Sequence, residues 1–211
     1  MDWIADLVAA ACGYLLGSIA FAVVVSRLMG LADPRSYGSK NPGATNVLRS
    51  GSKLAAALTL AGDAAKGAAA VWLAKRYGAA FGVDAFGVAL TGFAAFLGHL
   101  YPVFFRFRGG KGVATFLGVV LALNPWLGLA ACLIWVLIAA FFRYSSLASI
   151  LAAALTPLLQ AFGWGFDVLL VTLAAMSVLL VIRHKQNIAN LIAGKERKIG
   201  AKAHAAPGAR H

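Results

Sequence analysis

Acidic side chains are scarce: seven Asp and Glu stand against nineteen Lys and Arg in 211 residues. Magnesium-dependent phosphoryl transfer gathers several carboxylates around its ion, and the sequence clusters none. Cysteine is almost missing as well. Cys12 and Cys132 lie in separate apolar runs, which excludes a disulfide framework and argues against a thiol nucleophile. Zinc finds no ligand set either, because His99 and His184 are far apart in the chain. No Gly-x-Ser-x-Gly elbow occurs. A nucleotide P-loop fails at two positions, where Phe105 and Gly112 replace the required Gly and Ser/Thr around Gly110-Lys111. No metal and no cofactor is expected.

What the chain has is apolar length. Apolar residues make up 61% and charged residues 12%, and the mean hydropathy is +0.82, far from a soluble domain. Asp2 and Asp6 stand where a secretory signal would carry positive charge, so the first apolar run is read as a retained span. Apolar runs predict an all-α polytopic membrane protein with about seven transmembrane helices, near 3–26, 54–74, 80–100, 113–123, 126–142, 147–162 and 166–183. Alternating connections place every Lys and Arg except Lys66, Lys75 and Arg76 on one side of the bilayer. The positive-inside rule then sets the N-terminus outside and the C-terminus inside. This topology accounts for the net charge of +12, so nucleic acid is not an expected partner; membrane lipid is. Residues 1–194 form one transmembrane domain in this reading, and 195–211 a basic, disordered cytoplasmic tail. The run 113–123 is short for a span and suits a half-span.

Three stretches on the positive side have compositions that plain connectors do not need. "YGSKNPGATNVLR" (37–49) offers short hydroxyls and amides and ends in Arg49. "RFRGGKGVAT" (106–115) pairs a bendable glycine backbone with Lys111, and a helix starting at Val113 would point its positive end at an anion. "RHKQNIANL" (183–191) puts His184 and Asn187 on one face if the last span continues as a helix. Together they read as a phosphate site. Asp63 and Lys66, at i and i+3 inside a span, are read as a mutually neutralising structural pair. A turn outside the membrane is expected at Asn124-Pro125, and a kink at Pro157.

The three stretches, with "GSIAFA" at 17–22, resemble the signature motifs of the bacterial integral-membrane glycerol-3-phosphate acyltransferases that use acyl phosphate, over residues 13–197. The resemblance implies transfer of a fatty acyl group from acyl phosphate to the sn-1 hydroxyl of glycerol 3-phosphate. The products are lysophosphatidic acid and phosphate, in the first step of phospholipid synthesis. It further implies a multi-pass protein of the bacterial inner membrane with its active site on the cytoplasmic side, acting as a monomer. Ser39, Asn41, Thr45, Asn46, Arg49 and Lys111 would hold phosphate, completed by the backbone of Gly109, Gly110 and Gly112. His184 and Asn187 would orient the reacting groups, with either His184 or the leaving phosphate taking the proton. Ser146 and Ser149 are further substrate contacts, though both hydroxyls could equally bond back to helix carbonyls. The His-x4-Asp pattern of acyl-CoA enzymes is absent, Phe104 following His99 and Ala189 following His184. Ala20 and Asn190 depart from the family, which commonly has Pro and Arg there. A transporter or channel for a phosphorylated solute is the alternative reading, and a lipid-binding adaptor a weaker one.

Overall fold

The computed structural model describes residues 3–200, and every regular element among them is helical. The helices are α1 (Trp3–Gly17), α2 (Phe21–Leu28), α3 (Ala44–Val47), α4 (Lys53–Tyr77), α5 (Ala85–Leu100), α6 (Val113–Leu123), α7 (Pro125–Phe142), α8 (Ser145–Gly163), α9 (Val168–Arg183) and α10 (Lys185–Ile192). Five helical stretches are long and apolar enough to cross a membrane, and α9 with α10 makes a sixth, bent by 60°. With α6 these match the seven expected segments in order.

Local chemistry sets the boundaries. Ser52, Asp84, Asn124 and Asp167 cap α4, α5, α7 and α9 by accepting hydrogen bonds from first-turn N–H groups. Two expectations need correction. The first span is not continuous: α1 stops at Gly17 and α2 starts at Phe21. The freed Ile19 carbonyl is taken by the Lys66 ammonium at 2.7 Å, so Ala20 coincides with a break although no proline is present. The third span begins at Ala85 rather than 80, because Gly82 adopts a left-handed φ of +85° and ends a 3-10 turn there.

The half-span α6 is the hub. Its 11 residues rise only about 16 Å, and it packs between α4, α5, α7 and α9. Phe116, Val119 and Val120 from α6 join Phe96, Leu100, Leu127, Leu173, Met176 and Leu180 in the buried core. Contact with α4 is very close: a Cβ at Gly118 would lie 2.0 Å from the Ala64 carbonyl oxygen. Lys75 Nζ donates to Ala122 O and Leu123 O, both at 2.7 Å, and so caps the last turn of α6. Small residues likewise bring α1 onto α5, Gly17 facing Ala95 and Gly98 facing Tyr14. Large apolar side chains such as Trp126, Phe141, Phe162 and Phe166 point outward, as a lipid solvent permits.

The stretch after α10 packs back on the helices as far as residue 200. Ile199 N–H donates to Arg143 O at 2.6 Å and Arg143 Nη2 donates back to Ile199 O at 3.1 Å, which straps 195–200 across the α7–α8 corner. The remainder of the tail, 201–211, lies outside the described residues.

Candidate active site

The start of α4, the end of α5, the starts of α6 and α8 and the end of α9 converge, together with the loop leading into α3. All of these ends fall on the side where the alternating topology gathers the positive charge. Between them is a cavity of about 330 Å³, within the range of small-ligand sites. Ser39, Asn41, Thr45, Asn46, Arg49, Lys111, Gly112, Ser146, Ser149, His184 and Asn187 all line it. Groups separated by well over a hundred residues in the chain thus face one space.

Lys111 Nζ donates to Asn187 Oδ1 at 2.5 Å. Asn187 Nδ2 in turn donates to Glu196 Oε1 at 2.7 Å, and so does Ser146 Oγ at the same distance. Burial pushes the Lys111 ammonium below its ordinary pKa, Glu196 pulls it back up, and Arg49 and Arg183 lower it further. Burial and the neighbouring Arg197 act the same way on Arg49. These cations crowd one another, and an anion between them relieves that cost. Gly112, with φ +86°, turns the chain into α6. Val113 and Ala114 at the head of α6 also line the cavity, where first-turn N–H groups have no partner within the helix.

His184 is 2% exposed and its Nδ1 lies 2.8 Å from Leu180 O. A carbonyl only accepts, so Nδ1 carries the proton and Nε2 keeps its lone pair. Burial is the main cause that lowers its pKa to about 4, which leaves the ring neutral near pH 7. The last span does not continue straight through this residue. The helix breaks at His184, yet the break still delivers His184 and Asn187 to the same cavity.

Three expected phosphate ligands have other work. Gly110 N–H donates to His99 O at 3.1 Å, and the carbonyls of Gly109 and Gly110 accept from Arg183 at 3.0 Å each. Neither glycine lines the cavity, so their backbone is the base of the loop and not the cradle. Asn46 lines the wall, but its Nδ2 donates to Pro34 O and Tyr37 O while its Oδ1 accepts from Ser39 N and Arg49 Nη1. It braces the loop and holds Arg49. Ser149 Oγ bonds back to Ser145 O at 2.7 Å and accepts from Trp135 Nε1 at 3.0 Å.

Several residues of the site escaped the sequence reading. Glu196 falls in the stretch read as a basic tail, yet it links Ser146 to Asn187; a lone carboxylate among Lys195, Arg197 and Lys198 is its only signal. Asp63 and His99 also face the cavity. The Lys66 ammonium sits 2.8 Å from Asp63 Oδ1 and His99 Nδ1 3.4 Å from the same oxygen, neither aligned as a hydrogen bond. Leu60, Leu117, Cys132, Trp135 and Val136 give the cavity an apolar flank. A larger cavity of about 450 Å³ between α1 and α4 has no charged side chain in its lining and is remote from this chemistry.

A polar, cationic pocket with one apolar flank suits a phosphate ester that meets a lipid chain, and the comparisons agree. Residues 7–194 match the family model described as glycerol-3-phosphate acyltransferase. A glycerol-3-phosphate acyltransferase of Janthinobacterium sp. (strain Marseille) is 64% identical over 189 residues, 90% of this chain and 94% of the relative. Its counterpart in Paraburkholderia phymatum is 59% identical over 206 residues, 98% of each chain. Among solved structures, the integral membrane glycerol 3-phosphate acyltransferase PlsY (YgiH) in its glycerol 3-phosphate form superposes with a TM-score of 0.85 at 40% identity, covering 92% of this chain and 96% of that one. Its lysophosphatidic acid form gives 0.84 at 39%, with 92% and 95% covered. Matched along nearly its whole length, and carrying this site, the chain belongs to the glycerol-3-phosphate acyltransferase family.

Proposed function

We propose that the enzyme takes its acyl group from acyl phosphate and places it on the sn-1 hydroxyl of glycerol 3-phosphate. The cavity opens to the cytoplasmic side of the bacterial inner membrane, the N-terminus lies outside, and a single copy of the chain suffices. The observation that carries this reading is the ring of Arg49, Lys111, Arg197 and the α6 N-terminus around one cavity with an apolar flank. Two phosphate-bearing substrates need several positive groups, and a fatty chain needs the flank. Family membership sets aside the transporter and the adaptor.

Acyl phosphate is already activated, so the chain's task is alignment and charge stabilisation. Ser39, Asn41, Thr45, Arg49 and Lys111 hold phosphate oxygens, Arg49 two at once. The glycerol hydroxyl oxygen bonds to the acyl carbonyl carbon, the carbon–oxygen bond to phosphate breaks, and inorganic phosphate departs. His184 and Asn187 orient the attacking hydroxyl. Its proton passes to His184 Nε2 or to the departing phosphate, both lone-pair acceptors near pH 7. His184→Gln separates the routes: a rate near wild type assigns the proton to phosphate, and a drop of about 100-fold or more assigns it to the ring.

The decisive experiment incubates purified protein with acyl phosphate and glycerol 3-phosphate and follows phosphate and lysophosphatidate together. Equimolar appearance of both, lost in Lys111→Ala, is expected. Turnover with acyl-CoA but not with acyl phosphate refutes the donor. Sidedness is read by an impermeant amine reagent at Lys40 in sealed vesicles, where labelling only in inverted vesicles is expected.

A further inference from the structure

The Gly109–Gly110 pair has no side chains to hold it, and glycine is the residue whose backbone is most costly to order. It nonetheless carries Lys111 to the cavity. The restraint comes from Arg183, which composition alone reads as a topology charge. Its Nη2 donates to Gly109 O and Gly110 O at 3.0 Å each and its Nε to Gly110 O at 3.2 Å. The guanidinium carbon lies 5.4 Å from the centre of the Tyr101 ring. From the opposite side, Gly110 N–H is held by His99 O at 3.1 Å.

This arrangement has two effects. Both carbonyl oxygens are turned toward Arg183, so they do not face the phosphate site, where their negative ends would repel an anion. Arg183 itself is not in the cavity wall; its fork is engaged by neutral carbonyls. It is therefore no substrate ligand. Arg183 also ends α9 and immediately precedes His184, so one helix end sets the place of the loop and of the ring.

We infer that Arg183 is a positioning residue that locks the Gly109–Gly110 loop, and through it Lys111, in register with His184. The inference rests on the reading of Lys111 as a phosphate ligand. The planar fork sets Nη2 on both carbonyls and Nε on Gly110 O while it lies against the Tyr101 ring, a fixed geometry that a lysine of equal charge does not reproduce.

The test measures glycerol 3-phosphate binding by calorimetry on the detergent-solubilised full chain, together with the unfolding midpoint. Arg183→Lys keeps the charge and loses the fork. It is expected to weaken binding about tenfold, the worth of one charge-assisted hydrogen bond, with the midpoint close to wild type. In a Lys111→Ala background the same substitution should change binding less than about twofold, because the loop then has nothing to present. Added guanidinium should restore binding to Arg183→Ala where ammonium does not. Wild-type binding in Arg183→Lys overturns the inference. So does a full tenfold loss on top of Lys111→Ala, or a fall in midpoint with no rescue by guanidinium, since either makes Arg183 merely structural. If Lys111→Ala itself binds normally, the phosphate-ligand reading fails instead, and that outcome is distinct.

Discussion

Removing one partner of the Asp63–Lys66 pair should damage the protein more than removing both. The two residues are each 2% exposed, and Nζ lies 2.8 Å from Oδ1. At an effective dielectric constant of about 20, that separation corresponds to a gross attraction of about 6 kcal/mol, most of it offset by the cost of taking both charges out of water. Asp63→Leu strands the Lys66 ammonium and Lys66→Met strands the carboxylate, and breaking such a pair costs about 3–5 kcal/mol. The double variant strands no charge. Its loss is the Lys66 bond to Ile19 O, an unsatisfied carbonyl worth about 1–3 kcal/mol. Unfolding titrated in mixed detergent micelles should place the double variant at least about 1 kcal/mol above either single one, a coupling of several kcal/mol. Activity should follow the same order, since Asp63 and His99 share the cavity wall and His99 O holds Gly110. A double variant as unstable as the sum of the singles would refute the claim that the charges are a coupled unit.

The pH dependence has a defined sign. In the unfolded chain His184 takes a proton below about 6.5, whereas in the folded chain it resists until about 4. The unfolded state thus binds more protons in that window, and stability, complete above it, falls by about 1.4 kcal/mol per unit as pH drops through it; in His184→Gln this component is absent from the unfolding curve. Glu196→Ala leaves Asn187 Nδ2 and the Ser146 hydroxyl without their shared acceptor, a cost of about 1–3 kcal/mol or roughly 5- to 150-fold in kcat/KM. Glu196→Gln, which keeps an acceptor oxygen, should lose less in the same kinetic assay. Gly118→Ala drives a methyl onto the Ala64 carbonyl, overpacking that costs about 1–3 kcal/mol and is seen as a lower unfolding midpoint.

Sequence revealed most where physics is local. Apolar length found α6 to the residue, 113–123, because Gly112 and Asn124-Pro125 delimit it sharply. Loop composition found Arg49, Lys111, His184 and Asn187, since scarce polar groups in an apolar chain stand out. It could not find partners. Whether the Gly110 N–H faces a ligand or a carbonyl depends on His99, 11 positions away, and where the Gly109 carbonyl points depends on Arg183, more than 70 away. The break at Ser18–Ala20 was hidden for the same reason: its freed carbonyl is satisfied by Lys66, 47 residues on. Glu196 was missed because a charged tail ordinarily belongs to solvent, and only the strap at Ile199 brings it inward.

That strap bears on how the protein is made. Glu196 and Arg197 line the cavity, and in chain order they are the last of its lining groups to be synthesised, after every membrane segment. A growing polypeptide therefore owns Lys111 and His184 before it owns the carboxylate that holds Asn187 in place. A chain cut short before residue 196 would hold all its spans yet turn over more slowly, without the carboxylate that fixes Asn187.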